Sequence, residues 1–499
     1  MRIVGNFIDG KEIKSNSTRH GDIYNPNTGE IQGKVSLSSA DELEEIVQSA
    51  IKAQKEWEHV NPQRRARIMF EFKSKIEANM DELALMLSNE HGKTIADSRG
   101  DITRGLEVVE FVCGIPHNQK GEHTFGAGQG IDVYSVRAPL GVVAGITPFN
   151  FPAMIPLWMC APALATGNAF ILKPSEKDPS VPIRLAELFI EAGGPKGLFN
   201  IINGDKEIVD ALLEHKDIKA ISFVGSSDIA HYVYAGAAKY GKRAQCMGGA
   251  KNHGIILPDA NMDTAAKDIL GAAYGSAGER CMALPVVVCV GEGTAERFIE
   301  KITPMIENLK VGISTDKDAD YGPLVTAVHK AKVSSMIDKA IEEGAKLLID
   351  GRGLKLSGYE NGFFLGPTLL DNVTPEMTTY HEEIFGPVLQ IMRVNNLEDA
   401  IKLPSSHQYG NGTAIFTANG RAAREFAARV EVGMVGINVP IPVPVAYHTF
   451  GGWKRSAFGD INQYGMEGVR FYTRTKTITQ RWYEDDENHG GNAFVIPTF

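Results

Sequence analysis

Between Arg137 and Lys173 the chain carries no charged residue. Such a run exceeds the roughly 20 apolar residues that a bilayer needs. It also contains Pro139, Pro148, Pro152, Pro156 and Pro162, with Asn150 in its middle, and so many prolines in a lone span would leave carbonyls unpaired in lipid. The run is therefore expected to be the buried interior of a large globular protein, with no membrane partner. At 499 residues the chain exceeds the size at which one core keeps growing, so two or more domains are expected. With 43% hydrophobic and 22% charged residues, a disordered, collagen-like or coiled-coil chain is excluded. Lys and Arg number 51 against 61 Asp and Glu, which leaves no general surplus of positive charge for nucleic acid. Five scattered cysteines, Cys113, Cys160, Cys246, Cys281 and Cys289, form neither a disulfide framework nor a zinc pattern. No metal is expected, and a reducing compartment fits. The amino-terminal residues lack the apolar core of a signal peptide.

The pattern along the chain predicts an α/β protein. Asp9-Gly10 reads as a turn between the runs Ile3 to Ile8 and Lys11 to Ile13. Ser39 and Glu42 form a capping-box pattern ahead of Leu43, Ile46, Val47, Ala50 and Ile51 at helical spacing. From Gly141 onward, β-rich runs occur at Val142 to Ile146, Ala169 to Leu172, Leu198 to Ile202 and Ala220 to Val224. Helical patterns at Ile183 to Ile190 and Glu207 to Leu213 fill two of the gaps, and this alternation predicts a parallel sheet with right-handed crossovers. A second series begins at Ile255 to Leu257 and continues through Val286 to Val290, Val388 to Met392, Thr413 to Phe416 and Val435 to Val439. Two doubly wound parallel-sheet domains follow, with a site expected beyond the carboxyl ends of the strands, in the cleft between them. After about Thr473 the chain alternates like an edge strand of the kind that pairs with another subunit.

Some familiar motifs fail. Gly236 to Arg243 has P-loop spacing, but Arg243 stands where the magnesium-binding Ser or Thr belongs, and a helical segment precedes it. Gly126, Gly128 and Gly130 are too tightly spaced for a dinucleotide fingerprint. Neither HExxH nor GxSxG occurs.

Six segments hold together: TPFNFP at Thr147 to Pro152, ILKPSEKDP at Ile171 to Pro179, GPKGLFNIINGD at Gly194 to Asp205, SFVGSS at Ser222 to Ser227, SAGERC at Ser276 to Cys281 and EEIFGPV at Glu382 to Val388. In this order they resemble the aldehyde dehydrogenase superfamily across nearly the whole chain. SAGERCMA, GGAKNH at Gly248 to His253, and YHTFGGWKRS at Tyr447 to Ser456 are most similar to the methylmalonate-semialdehyde dehydrogenase group, which makes acyl-CoA instead of a free acid. The resemblance implies residues 1–120 and 141–253 as an NAD-binding domain and 254–445 as the catalytic domain. Residues 121–140 and 470–499 become a small β oligomerisation hairpin and tail. It further implies a cytoplasmic homotetramer, built as a dimer of dimers.

Oxidising an aldehyde to an acyl derivative needs a nucleophile that attacks the carbonyl so that a hydride can leave. A thiolate serves, because its thioester can still be passed on. Cys281 follows a Gly-containing turn and matches the superfamily nucleophile, whereas Cys113, Cys160 and Cys289 lie in apolar runs expected to be core. Attack makes an oxyanion. Asn150 matches the residue whose amide, with the backbone N–H of Cys281, stabilises it; by itself, a buried Asn bracing the proline-rich turn is the structural alternative.

By the same resemblance, Lys173 and Glu176 bind the adenosine ribose of NAD, with Lys177 nearby. Gly225-Ser226 opens a helix toward the pyrophosphate. Thr147, Phe149 and Gly248 line the cofactor, and Glu383 and Phe385 hold the nicotinamide ribose and ring. A carboxylate at Glu176 accepts bonds from ribose hydroxyls and repels a 2′-phosphate, which favours NAD over NADP, although Lys173 and Lys177 could offset that repulsion. Hydrolytic members place a water-activating Glu two residues before the Gly-Gly pair matching Gly248-Gly249; here that position is read as Cys246. Without that base, the acyl group is expected to wait for the thiol of coenzyme A as co-substrate. In the methylmalonate-semialdehyde group, arginines matching Arg104 and Arg280 bind the substrate carboxylate, a task suited to a planar, permanently charged guanidinium. The bland alternative for Arg104 is an ion pair with Asp101 or Glu107.

The expected reaction is therefore NAD-dependent oxidation of methylmalonate or malonate semialdehyde to propionyl-CoA or acetyl-CoA, with loss of CO2 through a Cys281 thioester. A hydrolytic aldehyde dehydrogenase, a cofactor-free cysteine hydrolase and a non-catalytic structural protein are the alternatives.

Overall fold

The computed structural model describes residues 1–482; the polar end of the tail, from residue 483, lies outside them. Two sheets organise the chain. In the first, strands run in the order Ala457–Phe458, Arg243–Met247, Ile218–Val224, Val142–Ile146, Ala169–Lys173, Phe199–Ile201, Asn6–Ile8 and Lys11–Ile13. The five strands from Arg243–Met247 to Phe199–Ile201 are parallel, and antiparallel strands close both edges. Helices Met154–Ala165, Ser180–Glu191, Lys206–Glu214 and Ser227–Lys239 occupy the crossovers. Strand order reverses between Val142–Ile146 and Ile218–Val224. Ligands of open parallel sheets settle at such a switch point, and both Thr147 to Asn150 and Gly225-Ser226 lie just beyond these two strands.

The second sheet runs Lys346–Ile349, Thr368–Asp371, Val388–Val394, Val286–Val290, His253–Ile256, Gly412–Phe416 and Met434–Ile437, parallel except at the first strand. The five strands expected here are all present. Each sheet has its own apolar core.

The uncharged run forms strand Val142–Ile146, helix Met154–Ala165 and strand Ala169–Lys173, every residue of which is buried. No helix among the described residues is long and apolar enough to cross a membrane. One expectation needs adjustment. The run Ile3 to Ile8 breaks at Gly5: Arg2–Val4 pairs with Glu30–Ser36 in a separate three-stranded sheet, and only Asn6–Ile8 forms the hairpin with Lys11–Ile13. Strand Thr473–Arg481 pairs with Ile131–Pro139 of its own chain, antiparallel, in a sheet with His123–Gly128.

Helix Ile95–Cys113 packs against Met154–Ala165, and Gly105 permits the close approach. A Cβ at Gly105 would lie 2.6 Å from Leu157 Cδ1 and 3.1 Å from the Cα of Met154. Leu157 can turn away, but the Met154 backbone cannot. Gly105→Ala is therefore expected to force the helices apart, destabilising the fold by about 1–3 kcal/mol, read as a lower thermal unfolding midpoint. An unchanged midpoint would show that the contact is slack.

Candidate active site

The two sheets meet in an unequal way. Strand Arg243–Met247 ends the parallel part of the first sheet, and after the short link Gly248 to Asn252 the chain enters strand His253–Ile256 at the centre of the second. The carboxyl ends of the first sheet thus face the amino ends of the second. Cys281 precedes Val286–Val290, Glu383 and Phe385 precede Val388–Val394, and Asn411 precedes Gly412–Phe416. The expectation of carboxyl ends on both sides holds for the first sheet only, because so short a link leaves no room for the second strand to turn round.

Helix Met262–Tyr274 delivers the chain to a tight turn at Gly275–Gly278, where Ser276 and Ala277 have φ of 54° and 52° and Gly278 has φ of 74°. Left-handed backbone at two non-glycine residues is strained, and such strain survives only where the surroundings impose it. Here they do: a Cβ on Gly278 would collide with the carbonyl oxygen of Gly386, so this turn packs backbone against backbone on the turn after Phe385. Phe385 is itself left-handed, with φ of 59°. Its carbonyl accepts a hydrogen bond from His329 Nε2 at 2.7 Å.

The main chain of Cys281 is gripped from the second sheet. Its carbonyl accepts from Asn252 Nδ2 and from Asn411 Nδ2, both at 2.9 Å. Asn252 Nδ2 also reaches the Ala283 carbonyl at 2.8 Å, while its oxygen accepts from the Gly412 N–H at 2.9 Å. From the first sheet, buried Asn150 donates through Nδ2 to the carbonyl of Glu279 at 3.2 Å. An amide carries two N–H groups, so the second remains for an oxygen beside Cys281. Burial pushes the Cys281 thiol up to about 12, and the Glu383 carboxylate adds to the rise; the N–H groups of Cys281 and Met282 act in the opposite direction. Burial thus favours the thiol over the thiolate in the resting site.

Two cavities adjoin it. The larger, about 370 Å³, is lined by Cys281, Arg280, Asp97, Asp101 and Arg104, with apolar walls that include Phe151, Trp158 and Phe450. Arg280 Nη2 donates to Asp97 Oδ1 at 2.6 Å. Arg104 donates to Glu107 at 2.6 Å and to the Pro444 carbonyl at 2.8 Å, so it both makes the ion pair of the bland alternative and faces the cavity. The smaller cavity is lined by Cys281, Asn252, Glu383 and Phe385 among others.

Several of the expected cofactor residues contact one another. Lys173 Nζ meets Glu176 at 3.2 Å, Lys177 Nζ lies 4.4 Å from the centre of the Phe149 ring, and Phe149 stands edge-on to Phe385 at 6.0 Å. Thr147 N–H donates to the Lys173 carbonyl, and its buried hydroxyl has no partner. Ser226 begins helix Ser227–Lys239 without capping it through its side chain, which leaves first-turn amides for an anion. Gly248 and Gly249 run beside Ser227, whose hydroxyl accepts from the Gly249 N–H at 2.9 Å. These open donors fit a dinucleotide. Glu383 accepts from the Ala250 N–H at 3.0 Å, and burial pushes its carboxyl up to about 7.

Cys246 is buried in strand Arg243–Met247, within the apolar core that Cys281 also packs against.

Several residues beyond those expected shape the site. Asn252 lies inside a segment singled out above, but nothing in its spacing assigns it a partner; Asn411 carries no signal at all. Asp97 could have been found, since it stands seven residues before Arg104 on one helix face. Buried Lys251 donates to the carbonyls of Thr379 and Glu382 at 2.6 and 2.8 Å and so fixes the turn carrying Glu383. Glu279 is fully buried, accepting from the Val325 N–H at 3.3 Å. Burial pushes its carboxyl up to about 8, against the pull of that N–H and of Lys177 and Lys93.

Comparison with known proteins gives the family. The aldehyde dehydrogenase family pattern matches residues 13–478, and the chain belongs to that family. It is 53% identical over 498 residues, all of both chains, to a malonate-semialdehyde dehydrogenase of Pseudomonas aeruginosa. It is 48% identical to the mitochondrial acylating methylmalonate-semialdehyde dehydrogenase of Arabidopsis thaliana, covering 96% of this chain and 79% of that one. Among solved structures, a Sinorhizobium meliloti chain complexed with NAD superposes with a TM-score of 0.96 at 61% identity, covering 97% of this chain and 99% of that one. Methylmalonate-semialdehyde dehydrogenase from Oceanimonas doudoroffii gives the same TM-score and coverage at 52% identity.

Two outcomes follow from the buried ionisable groups. With the other four cysteines buried, iodoacetamide should alkylate Cys281 of the cofactor-free enzyme at a rate that climbs steadily from pH 7 to 9.5, and Cys281→Ala should abolish the reaction. A plateau below pH 8 would mean the thiol ionises far more readily. Glu279 in the folded state binds its proton more tightly than the ordinary 4.5, so its stabilising contribution, complete below that value, is lost as pH rises through about 8. Glu279→Gln cannot ionise. Its melting temperature relative to wild type should rise between pH 5 and 9, and a constant difference would show that Glu279 titrates normally.

Proposed function

We propose that this chain is an NAD-dependent, CoA-acylating semialdehyde dehydrogenase that converts malonate or methylmalonate semialdehyde to acetyl-CoA or propionyl-CoA with loss of CO2. The observation that carries this reading is a cysteine set between an oxyanion donor, Asn150, and an apolar pocket lined by two arginines. Residues 1–120 and 141–253 would hold NAD through Thr147, Phe149, Lys173, Glu176, Lys177, Gly225, Ser226, Gly248, Glu383 and Phe385. Residues 254–445 form the catalytic domain. NAD supplies the hydride acceptor.

The chain does the rest. Arg104 and Arg280 orient the substrate carboxylate, which sets the aldehyde carbon against Cys281. The thiolate attacks, and the second N–H of Asn150 with the backbone N–H of Cys281 takes the oxyanion. A Cys281 thioester results. Coenzyme A then accepts the acyl group by thioester exchange. Its thiol is favoured over water because Cys246 stands two residues before Gly248-Gly249, where hydrolytic members carry the water-activating Glu. The free state of all five cysteines supports a cytoplasmic setting. The edge position of Thr473–Arg481 beside Ile131–Pro139 supports hairpin and tail, residues 121–140 and 470–499, as the element through which a dimer-of-dimers homotetramer assembles.

The test is a steady-state assay with malonate semialdehyde, methylmalonate semialdehyde and propionaldehyde, NAD or NADP, with and without CoA, identifying products by mass. Acyl-CoA that depends on both NAD and CoA is expected; free acid formed without CoA would establish a hydrolytic enzyme. Arg104→Leu and Arg280→Leu should each cost about 2–5 kcal/mol in kcat/KM for the semialdehydes, the cost of truncating a buried charge pair, while propionaldehyde is scarcely affected. Equal losses on both substrates would make the arginines structural.

A further inference from the structure

The cavity beside Cys281 is electrostatically balanced before any substrate arrives. Asp97, Asp101 and Arg104 stand four and three residues apart on helix Ile95–Cys113 and all line it. Asp97 takes Arg280 at 2.6 Å, Asp101 takes fully buried Lys93 at 3.1 Å, and Glu107 takes Arg104 at 2.6 Å. Each arginine thus carries its own carboxylate. A pocket built only to bind an anion tightly would leave its cations uncompensated. The Arg280–Asp97 pair is four-fifths buried on both sides, where solvent screens it little. Burial works against the charged form of Asp97, but Arg280 and Lys93 outweigh it and keep the carboxyl below its usual range.

We propose that Asp97 offsets the charge of Arg280, so that the substrate carboxylate is held in place without being neutralised and departs readily as CO2. The inference rests on the semialdehyde reading above. On the acylated enzyme the carboxylate is β to the Cys281 thioester. In the step concerned, the bond between the α-carbon and the carboxylate breaks, and its electron pair moves into the thioester carbonyl. CO2 leaves, an enolate oxygen forms beside Asn150, and a proton from water then restores the α-carbon. Negative charge therefore travels from the arginine end of the cavity to the asparagine end. An uncompensated arginine would favour the starting carboxylate over neutral CO2 and so raise the barrier, because only interactions stronger in the transition state than before it accelerate a step. With Asp97 sharing its charge, Arg280 still orients through its planar fork and opposes the departure less. Asp97 is thus a positioning residue acting through Arg280.

Asp97→Asn tests this, since the amide oxygen can still accept from Arg280 while the charge is removed. With malonate semialdehyde, saturating NAD and CoA, the ratio of malonyl-CoA to acetyl-CoA should rise at least tenfold over wild type, with KM for the semialdehyde unchanged or lower. Asp97→Glu should bring the ratio back. Should the Asn variant fail to fold, Asp97→Ser makes the same charge change with less bulk. A wild-type ratio in a folded neutral variant overturns the proposal. So does a tenfold higher KM with an unchanged ratio, which would mean that Asp97 only orients Arg280. If wild-type enzyme instead forms no decarboxylated acyl-CoA from either semialdehyde, it is the substrate reading that fails, a result visible before any variant is made.

Discussion

A hydrogen bond from the first sheet reaches the turn that carries the nucleophile: Asn150, from the loop beyond a central strand of that sheet, donates to the carbonyl of Glu279, two residues ahead of Cys281. On the far side, Asn252 and Asn411 hold the carbonyl of Cys281 to the second sheet. The nucleophile is thus a fixed part of one sheet, and its oxyanion donor a fixed part of the other. Their separation depends on how the sheets are docked. That docking is itself constrained by the short link Gly248 to Asn252, which runs directly from the last parallel strand of the first sheet into the central strand of the second. Asn252 ends this link and begins the grip on Cys281, so the connection that aligns the sheets also aligns the nucleophile.

The same closeness sets the electrostatics. The turn at Gly278 and the turn at Gly386 touch through their backbones, and the cavity between Cys281, Glu383 and Phe385 is small. Desolvation raises the Cys281 thiol and the Glu279 and Glu383 carboxyls together. Three groups that would be charged or readily ionised in water are held toward neutrality. Among the cations nearby, Arg280, Arg104 and Lys93 are paired with carboxylates, and Lys251 is tied to main-chain carbonyls. The resting site is a region of low net charge in which a newly arriving charge, on substrate or cofactor, meets little competition.

Much of this was legible in the sequence. The strands Val142 to Ile146 and Val286 to Val290 were read to the residue because buried parallel strands are unbroken apolar runs with clear ends. Family resemblance brought Asn150, Cys281, Glu383 and both arginines to one place on the page, and the fold brings them to one place in space. What escaped were relations set by geometry alone. Gly5 divides the first apolar run between two sheets, which composition cannot signal. Asn411 holds Cys281 across 130 positions, and an asparagine in a glycine-rich loop looks like any turn residue.

The apolar walls explain why paired charges matter so much here. Phe151, Trp158 and Phe450 surround Arg280, Asp97 and Cys281 in one cavity. Trp158 stands 5.0 Å from Phe450 and 4.9 Å from Tyr464, an aromatic block on the cavity wall. In such surroundings Coulomb interactions are several times stronger than in water. An arginine without its acid would dominate the pocket, and an acid without its arginine would repel the substrate. Pairing them removes the net field but keeps the hydrogen-bonding fork that recognises a carboxylate. On the proposed reading, selectivity for a substrate with a distal acid arises from geometry at one end of the cavity, while the other end, with Asn150 and the main chain of Cys281, is the place where developing negative charge is best received.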